Sequence, residues 1–545
     1  MMEPASGVDK LSLADTTRLD LTDDTDLLKD ISDTSERQVF IHDPTLQPNE
    51  FNRATNHPNS LSLLPASSDF ARLVPANHQA KIAFHEIATL VKLDNCRNPH
   101  CRKFIHVSEA QTELVSFPDV RKRVNFPKGW VIGSGRGESG YAGVDFLITA
   151  DRERDRVGGR HGKIRHHKVS RVLTIVPMFG HGVLLNGEEI SREGKVLGNM
   201  QMGLTIGNLT FKIEFQSVDP ASYNAKLDNI VLGSGTWFSE KIESFDPTPT
   251  NSHLMFHGYQ IQTPQAFGAY GVVSACVHTD SGNVYAVKRV QRTRYTFDQI
   301  RDEITVLKLL GKHPHICTLA DVIYSDGDDT SMGNKKINDI YMFFEPWAPD
   351  ILEVLTKPQV SRSVRWRAFH QGAQGIRYLH SLGIIHRDLK MGNILVVRSD
   401  PLRVVIADFG HATTCTNSQD HMKGTIVFLA PEIIELKRRS RDTNPFSPDP
   451  TLHWSCKSDV YSYGLVGWTL LHGKPNLPLN GIDKVAHQHL LATLGKSSTA
   501  AGDVLARMLA WDAESRLGMR ELLLASCWSE SETTCHEKKR QFPES

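Results

Sequence analysis

His386-Arg387-Asp388-Leu389-Lys390-Met391-Gly392-Asn393, followed by Asp408-Phe409-Gly410, is the stretch on which the reading of this chain turns. It sets two carboxylates, an ammonium and an amide in a short, ordered run. Those groups suit the movement of a phosphoryl group. Asp388 can take a hydroxyl proton, Lys390 can neutralise charge, and Asn393 with Asp408 can hold metal ions. A bare Asp-Phe-Gly would carry little information. The full set in this order carries a great deal.

The run resembles the catalytic loop and metal-binding turn of protein kinases, and other pieces of that family's pattern follow in register. Tyr285-Ala286-Val287-Lys288 resembles the strand lysine that meets the nucleotide's phosphates. Glu303, in the helical pattern Asp298–Leu307, resembles its ion-pair partner. Ala430-Pro431-Glu432 resembles the close of an activation segment. Asp459-Val460-Tyr461-Ser462-Tyr463-Gly464 and Arg516 match two later landmarks, with Arg516 the expected buried partner of Glu432. The glycine loop reads Ala266-Phe267-Gly268-Ala269-Tyr270-Gly271-Val272-Val273, with Ala266 where the family has Gly. An alanine there costs some flexibility and leaves the two glycines nearer the phosphates in place.

The resemblance implies ATP and Mg²⁺ as cofactors and Ser/Thr residues of proteins as substrates. It assigns catalysis to Asp388, Lys390, Lys288 and Glu303, and metal binding to Asn393 and Asp408. Nucleotide contacts are expected from Ala266, Gly268, Gly271, Val273, Ala286, Lys288, Glu345, Trp347, Asp350 and Leu395, with Phe344 at the back of the adenine pocket. Lys390 and Thr425 resemble the serine/threonine branch. Gly392 replaces a Glu that many arginine-directed kinases carry. Arg387 resembles the arginine that pairs with a phosphorylated activation segment, where Thr413, Thr414, Thr416 and Ser418 are available. A pseudokinase scaffold remains the alternative, although such proteins usually lose the equivalents of Lys288, Asp388 or Asp408.

Length and composition frame this reading. At 545 residues the chain exceeds one domain, and its net charge of zero gives no hint of nucleic-acid binding. No apolar run approaches the ~18 residues that span a membrane, and no secretory signal is visible. Eight scattered cysteines fit free thiols in a reducing compartment, so cytoplasm, nucleus or both is expected. Cys96, His100, Cys101 and His106 invite a zinc reading, but the spacing is not that of a finger pair. Lys437-Arg438-Arg439-Ser440-Arg441 reads as a solvent loop, with a nuclear-import signal as the sharper alternative.

The expected organisation is multi-domain. Residues 1–72 form an acidic leader, as in Thr22-Asp23-Asp24-Thr25-Asp26, expected to be disordered. Residues 75–216 form a β-sandwich, 217–255 a linker, 256–530 a bilobal α+β kinase domain and 531–545 a polar tail. Short apolar strands such as Gly129–Ile132, Val172–Val176 and Leu209–Phe215, split by Gly and Asn turns, carry the sandwich reading. This segment resembles a forkhead-associated (FHA) domain through Gly135-Arg136, Asp145-Phe146-Leu147-Ile148, Gly159-Arg160-His161-Gly162-Lys163-Ile164 and Leu185-Asn186-Gly187. That family binds phosphothreonine peptides. Here its phosphate-binding Ser falls on Gly158 and its peptide-contacting Asn on His181, leaving Arg136, with Arg160 or Arg165 as possible substitutes. Binding of phosphothreonine proteins through Arg136 and a phosphate-independent docking or dimerisation module both stay open. A sandwich followed by a kinase resembles the checkpoint-kinase group, many of them fungal, which acts in DNA-damage and cell-cycle signalling. No membrane or direct nucleic-acid partner is expected.

Overall fold

The computed structural model describes residues 70–92, 105–107, 113–117, 129–136, 143–178, 182–219, 221–225, 227, 245–268, 271–293, 295–325, 338–441, 449–473, 484–496 and 500–524. The leader up to residue 69, Cys96, His100, Cys101, His181 and the tail 531–545 lie outside them.

Two stacked sheets make the N-terminal body. Their elements are β1 (Ala71–Pro75), α1 (His78–Lys92), β2 (Ile105–Val107), β3 (Glu113–Phe117), β4 (Trp130–Gly133), β5 (Phe146–Leu147) and α2 (Arg152–Asp155). There follow β6 (Gly162–His166), β7 (Leu173–Pro177), β8 (Val183–Leu185), β9 (Glu188–Glu189), β10 (Lys195–Val196), β11 (Gln201–Ile206) and β12 (Leu209–Phe215). One sheet runs β2-β3-β1-β12-β11-β8-β9 and the other β10-β7-β6-β4-β5. β12 shows why these segments are strands. Leu209, Phe211, Ile213 and Phe215 are buried, while Thr210, Lys212 and Glu214 between them are half-exposed. That two-residue period puts one face on a core. Trp130, Phe146, Ile164 and Ile175 supply the opposite layer. Cutting Phe211 to Ala would cost about 3–5 kcal/mol.

β1 starts at Ala71, inside the stretch assigned to the leader, and pairs with both β12 and β3. Helix α1 was not foreseen in the sequence. Its buried Ala80, Ala83, Phe84 and Ile87 form an i, i+3, i+4, i+7 stripe, and Phe84 lies 5.1 Å from Phe211. Asn77 Oδ1 caps the first turn by accepting from the Ala80 N–H at 2.8 Å. Asp155, fully buried, anchors the helix further. It accepts from Thr149 Oγ1 at 2.5 Å, Gln79 Nε2 at 2.7 Å and Arg154, whose guanidinium also grips Glu86 of α1 at 2.7 Å. Burial pushes the Asp155 carboxyl up, but these bonds outweigh it and hold the group below the usual carboxylate range.

The second body begins with a six-stranded sheet. It contains β13 (Leu254–Phe256), β14 (Tyr259–Gly268), β15 (Gly271–His278), β16 (Val284–Arg292), β17 (Thr318–Tyr324) and β18 (Asn338–Glu345), in the order β13-β14-β15-β16-β18-β17. Helix α3 (Phe297–Leu309) follows β16 in the chain, with Ile300, Glu303, Ile304 and Leu307 buried. Beyond Glu345 the chain enters a helical lobe of α4 (Arg362–Ser381), α5 (Pro431–Arg441), α6 (Cys456–His472), α7 (Lys484–Lys496), α8 (Ala500–Met508) and α9 (Met519–Leu523). A small sheet joins β19 (Asp350–Ile351), which precedes α4, to β20 (Ile394–Ser399) and β21 (Leu402–Ile406), which follow it, in the order β19-β20-β21. Trp366, Phe369, Ala373 and Ile376 of α4 are buried against Val460, Tyr463 and Val466 of α6. Ser455 and Ser458 form a capping box that starts α6.

The basic stretch Lys437–Arg441 is the last part of α5 and not a loop. Leu436 is buried, Lys437 is half-buried and donates to the His421 carbonyl, and Arg438 and Arg439 grip Glu435 at 2.8 and 2.7 Å. The helix-spaced apolar residues Ile433 and Leu436 outweighed the charge run. The Pro-rich stretch after it falls mostly outside the described residues.

Candidate active site

The residues singled out in the sequence lie on both sides of the cleft between the two lobes. β14 and β15 form a hairpin in which Ala266 pairs with Val273 and Gly268 with Gly271. Gly271 has φ +131°, and a Cβ there would stand 2.2 Å from the Arg289 carbonyl oxygen, so a side chain is barred. Val273 pairs with Lys288, and Ala286 with Phe344 of β18. The strands thus place Lys288 beneath the hairpin.

Lys288 Nζ meets Glu303 Oε1 at 2.7 Å and Asp408 Oδ1 at 3.6 Å. Burial opposes its charge, yet Glu303 and Asp408 outweigh that and hold its pKa above the ordinary lysine value. Helix α3 has turned Glu303 inward, and Phe409 is buried as well. A Cβ on Gly410 would be 3.4 Å from Glu303 Oε2, which shows how closely the Asp408–Gly410 turn approaches that carboxylate.

On the other side, Asp388 Oδ1 accepts from Thr425 Oγ1 at 2.7 Å, and Asp388 Oδ2 lies 3.0 Å from Lys390 Nζ. Asn393 Nδ2 donates to the Asp388 carbonyl at 2.8 Å and to Oδ2 at 3.1 Å. Burial raises the Asp388 carboxyl, but Lys390 and the Thr425 hydroxyl more than offset this and hold it below the usual range. It stays ionised at neutral pH. His411 Nδ1 comes within 3.9 Å of Asp388 Oδ2, but it accepts the Gly424 N–H at 3.3 Å, and burial lowers its pKa. The lowered pKa disfavours an ion pair in this contact.

The loop bearing Asp388 hangs on a buried carboxylate. Asp459, at the start of α6, accepts the backbone N–H groups of His386 at 2.8 Å and Arg387 at 3.0 Å, with His380 Nε2 at 3.1 Å. Arg387 is held at φ +65° and Asp408 at φ +62°, conformations that side chains other than Gly seldom adopt. The sequence matched Asp459 to a landmark without giving it this task. Glu432 and Arg516 meet at 2.7 Å, with Arg516 1 % exposed and its guanidinium 4.8 Å above the Tyr461 ring.

Of the four hydroxyls considered for pairing with Arg387, the structure brings Ser418 there. Arg387 donates to Ser418 Oγ at 3.0 Å and to the His411 carbonyl, with Asp420 3.8 Å away. Thr413 is tied through its backbone to Ile385.

The segment connecting the lobes and the small sheet after it hold the remaining residues. The Glu345 carbonyl accepts from Thr318 Oγ1 at 3.3 Å, while its side chain pairs with Lys312 at 2.9 Å. Trp347 packs inward. Asp350 is exposed in β19 opposite Val396, and Leu395 is half-buried beside Ile351. A cavity of about 1140 Å³ opens on the outer side of this connection, lined by Val169, Trp347, Asp350, Lys357 and Arg403. None of Lys288, Asp388, Asn393 and Asp408 lines it.

Residues 264–528 match the family model described as protein kinase domain. This part of the chain is a protein kinase domain. Among curated proteins, the kinase region is similar to ribosomal protein S6 kinase alpha-2 of Homo sapiens, 30% identical over 292 residues, covering 49% of this chain and 35% of the relative. It is also similar to ribosomal protein S6 kinase 2 alpha of Xenopus laevis, 28% identical over 304 residues, covering 52% of this chain and 37% of the relative. The chain thus spans little more than a third of these relatives' length. A solved structure titled "Crystal structure of Rad53 1-466 in complex with AMP-PNP" aligns at 20% identity with a TM-score of 0.42, covering 74% of this chain and 92% of that one.

Asn393 and Asp408 suit a hard divalent cation. Asn393 spends its Nδ2 on Asp388, which leaves its oxygen free to coordinate, and Asp408 is 36 % exposed with its carboxylate toward the cleft beside Lys288. Among the described residues no cluster of three His, Cys, Asp or Glu side chains stands ready to hold a metal alone, so substrate phosphate oxygens would complete the shell.

Proposed function

We propose that this chain is a serine/threonine protein kinase that moves the γ-phosphoryl group of ATP to hydroxyls of protein substrates. The observation that carries the reading is the Asp388–Lys390–Thr425 cluster facing the Lys288–Glu303–Asp408 cluster across one cleft. Mg²⁺ on Asn393 and Asp408 would neutralise charge on the phosphates. Lys288, fixed by Glu303, holds the nucleotide's phosphates. Asp388 accepts the proton as the substrate oxygen bonds to the γ-phosphorus and the bond to ADP breaks. Lys390 stabilises charge on the transferring group. Thr425 orients both Asp388 and Lys390 (its hydroxyl bonds to each), and this bridge supports the Ser/Thr assignment.

Incubating the full chain with labelled ATP, Mg²⁺ and a mixed peptide library tests it. Phosphoserine and phosphothreonine should form. Phosphotyrosine alone, or no transfer, would overturn it.

The sandwich reads as an FHA-like docking module. Gly135 N–H donates to the Gly159 carbonyl at 3.0 Å, so the turns bearing Arg136 and Arg160 lie side by side. Arg136 is exposed, and Arg160 Nε is held by the Gly143 carbonyl at 3.0 Å. This favours Arg160 over Arg165 as the second phosphate contact, with Gly158 supplying no hydroxyl. The order of sandwich and kinase suggests signalling of the checkpoint type. Substrate phosphorylation in cells with and without DNA damage tests that part.

A further inference from the structure

The sandwich and the kinase domain are joined by more than a tether. β10 is an edge strand of its sheet, and its free backbone donor, the Val196 N–H, reaches the Thr279 carbonyl of the β15–β16 turn at 2.7 Å. Leu173 N–H donates to the Pro247 carbonyl at 3.2 Å, and Gln260 Nε2 to the Gly198 carbonyl at 3.2 Å. Gly282, at φ +70° in the same turn, lies against His167. A Cβ there would come 2.7 Å from that ring. Between these bonds lies an apolar cluster of Val172 and Val196 from the sandwich, Phe245 from the connecting segment, and Ala275 and Val277 from β15. Val284 and Trp347 pack on its edge. Phe245 is 1 % exposed and meets the Trp347 ring edge-on at 5.7 Å.

Register gives this cluster its meaning. Val273, Ala275 and Val277 alternate onto one face of β15, and Val284, Ala286 and Lys288 onto the facing side of β16, paired Val273–Lys288, Ala275–Ala286 and Val277–Val284. The face that bears Val273, Ala286 and Lys288 over the cleft therefore continues outward as Ala275, Val277 and Val284. There it is covered by Phe245 and the sandwich. Trp347 stands at the boundary, in the segment whose backbone is expected to meet adenine. Packed interiors transmit such displacements.

We infer that Phe245 is a positioning residue for the nucleotide: it sets Trp347 and the outer end of the β15–β16 roof, and the seated sandwich holds it there. The inference rests on the ATP-binding reading above. The test is calorimetry of ATP with Mg²⁺ on the full chain, with steady-state kinetics alongside. Phe245→Ala should weaken ATP binding and raise the KM for ATP by about tenfold while kcat at saturating ATP stays within roughly twofold. Phe245→Leu should restore most of the affinity. Val196→Asp, which forces a charge into the seat without touching the connection between the lobes, should weaken ATP comparably. ATP affinity within twofold of wild type in Phe245→Ala overturns the inference. Unchanged affinity in Val196→Asp overturns the sandwich's share in it. If Phe245→Ala does not fold, Val196→Asp decides: ATP affinity within twofold of wild type then overturns the inference. Wild-type chain that binds no ATP would instead sink the kinase reading, so the two failures are distinguishable.

Discussion

The kinase cleft and the sandwich turn that bears Arg136 are built on opposite plans. In the cleft, charged groups meet one another. Lys288 sits between two carboxylates, Asp388 between an ammonium, a hydroxyl and an amide, and the loop itself hangs on the buried Asp459. On the sandwich, Arg136 is exposed on a turn held by backbone bonds among glycines. A site made of mutually restrained charges needs many particular side chains, and each leaves a mark in sequence. A site made of backbone turns and one exposed arginine needs few.

Five measurements sharpen or break that contrast. The largest effect should come from Asp388→Asn. Turnover should fall by on the order of 10²–10⁴ with the melting temperature nearly unchanged, because the base goes and the packing stays. Equal phosphate incorporation by variant and wild type would refute the mechanism.

Asp459→Ala should strike stability as well as activity. It strands two buried N–H donors, at about 1–3 kcal/mol each, and chemical denaturation should show a loss of that size. A stability equal to wild type would show that the loop does not depend on this carboxylate.

A smaller effect is expected in the activation segment. Phosphate on Ser418 would replace a hydroxyl hydrogen bond to Arg387 with charge-assisted ones. Mass spectrometry of active protein should find phosphate within residues 413–418, with Ser418 the favoured site, and Ser418→Ala should lower activity by about tenfold. Full activity after Thr413, Thr414, Thr416 and Ser418 are all changed to Ala would reject this.

The least effect belongs to the sandwich's ligand. Calorimetry with phosphothreonine peptides should give a Kd weaker than roughly 10 μM, about −7 kcal/mol, lost on Arg136→Ala. Sub-micromolar, phosphate-specific binding would erase the contrast. The sandwich's own restrained charge, Asp155, offers an internal control. Its carboxyl titrates below the ordinary value when folded, so its stabilisation is present at neutral pH and is lost as pH falls below about 4. Asp155→Asn should flatten that acid limb.

What could be read from the chain alone was chemistry with local spacing. The kinase domain, its facing clusters and the Glu432–Arg516 pair were all legible because a few residues at short range had to be those types. The sandwich was legible as strands because burial of one face imposes a two-residue alternation, as in Leu209–Phe215. The i, i+3, i+4, i+7 stripe of α1 was equally present and was passed over beside a segment that read as β throughout. Lys437–Arg441 misled because charge run outweighed the apolar spacing of Ile433 and Leu436 in the reading, while in the fold burial of those two residues prevails. Tertiary structure decided what depends on distant segments meeting. Asp459 reaches the backbone of residues some seventy positions earlier, Ser418 rather than its neighbours finds Arg387, and Phe245 lies against Trp347. No local pattern encodes those meetings, because each depends on how whole sheets and helices pack.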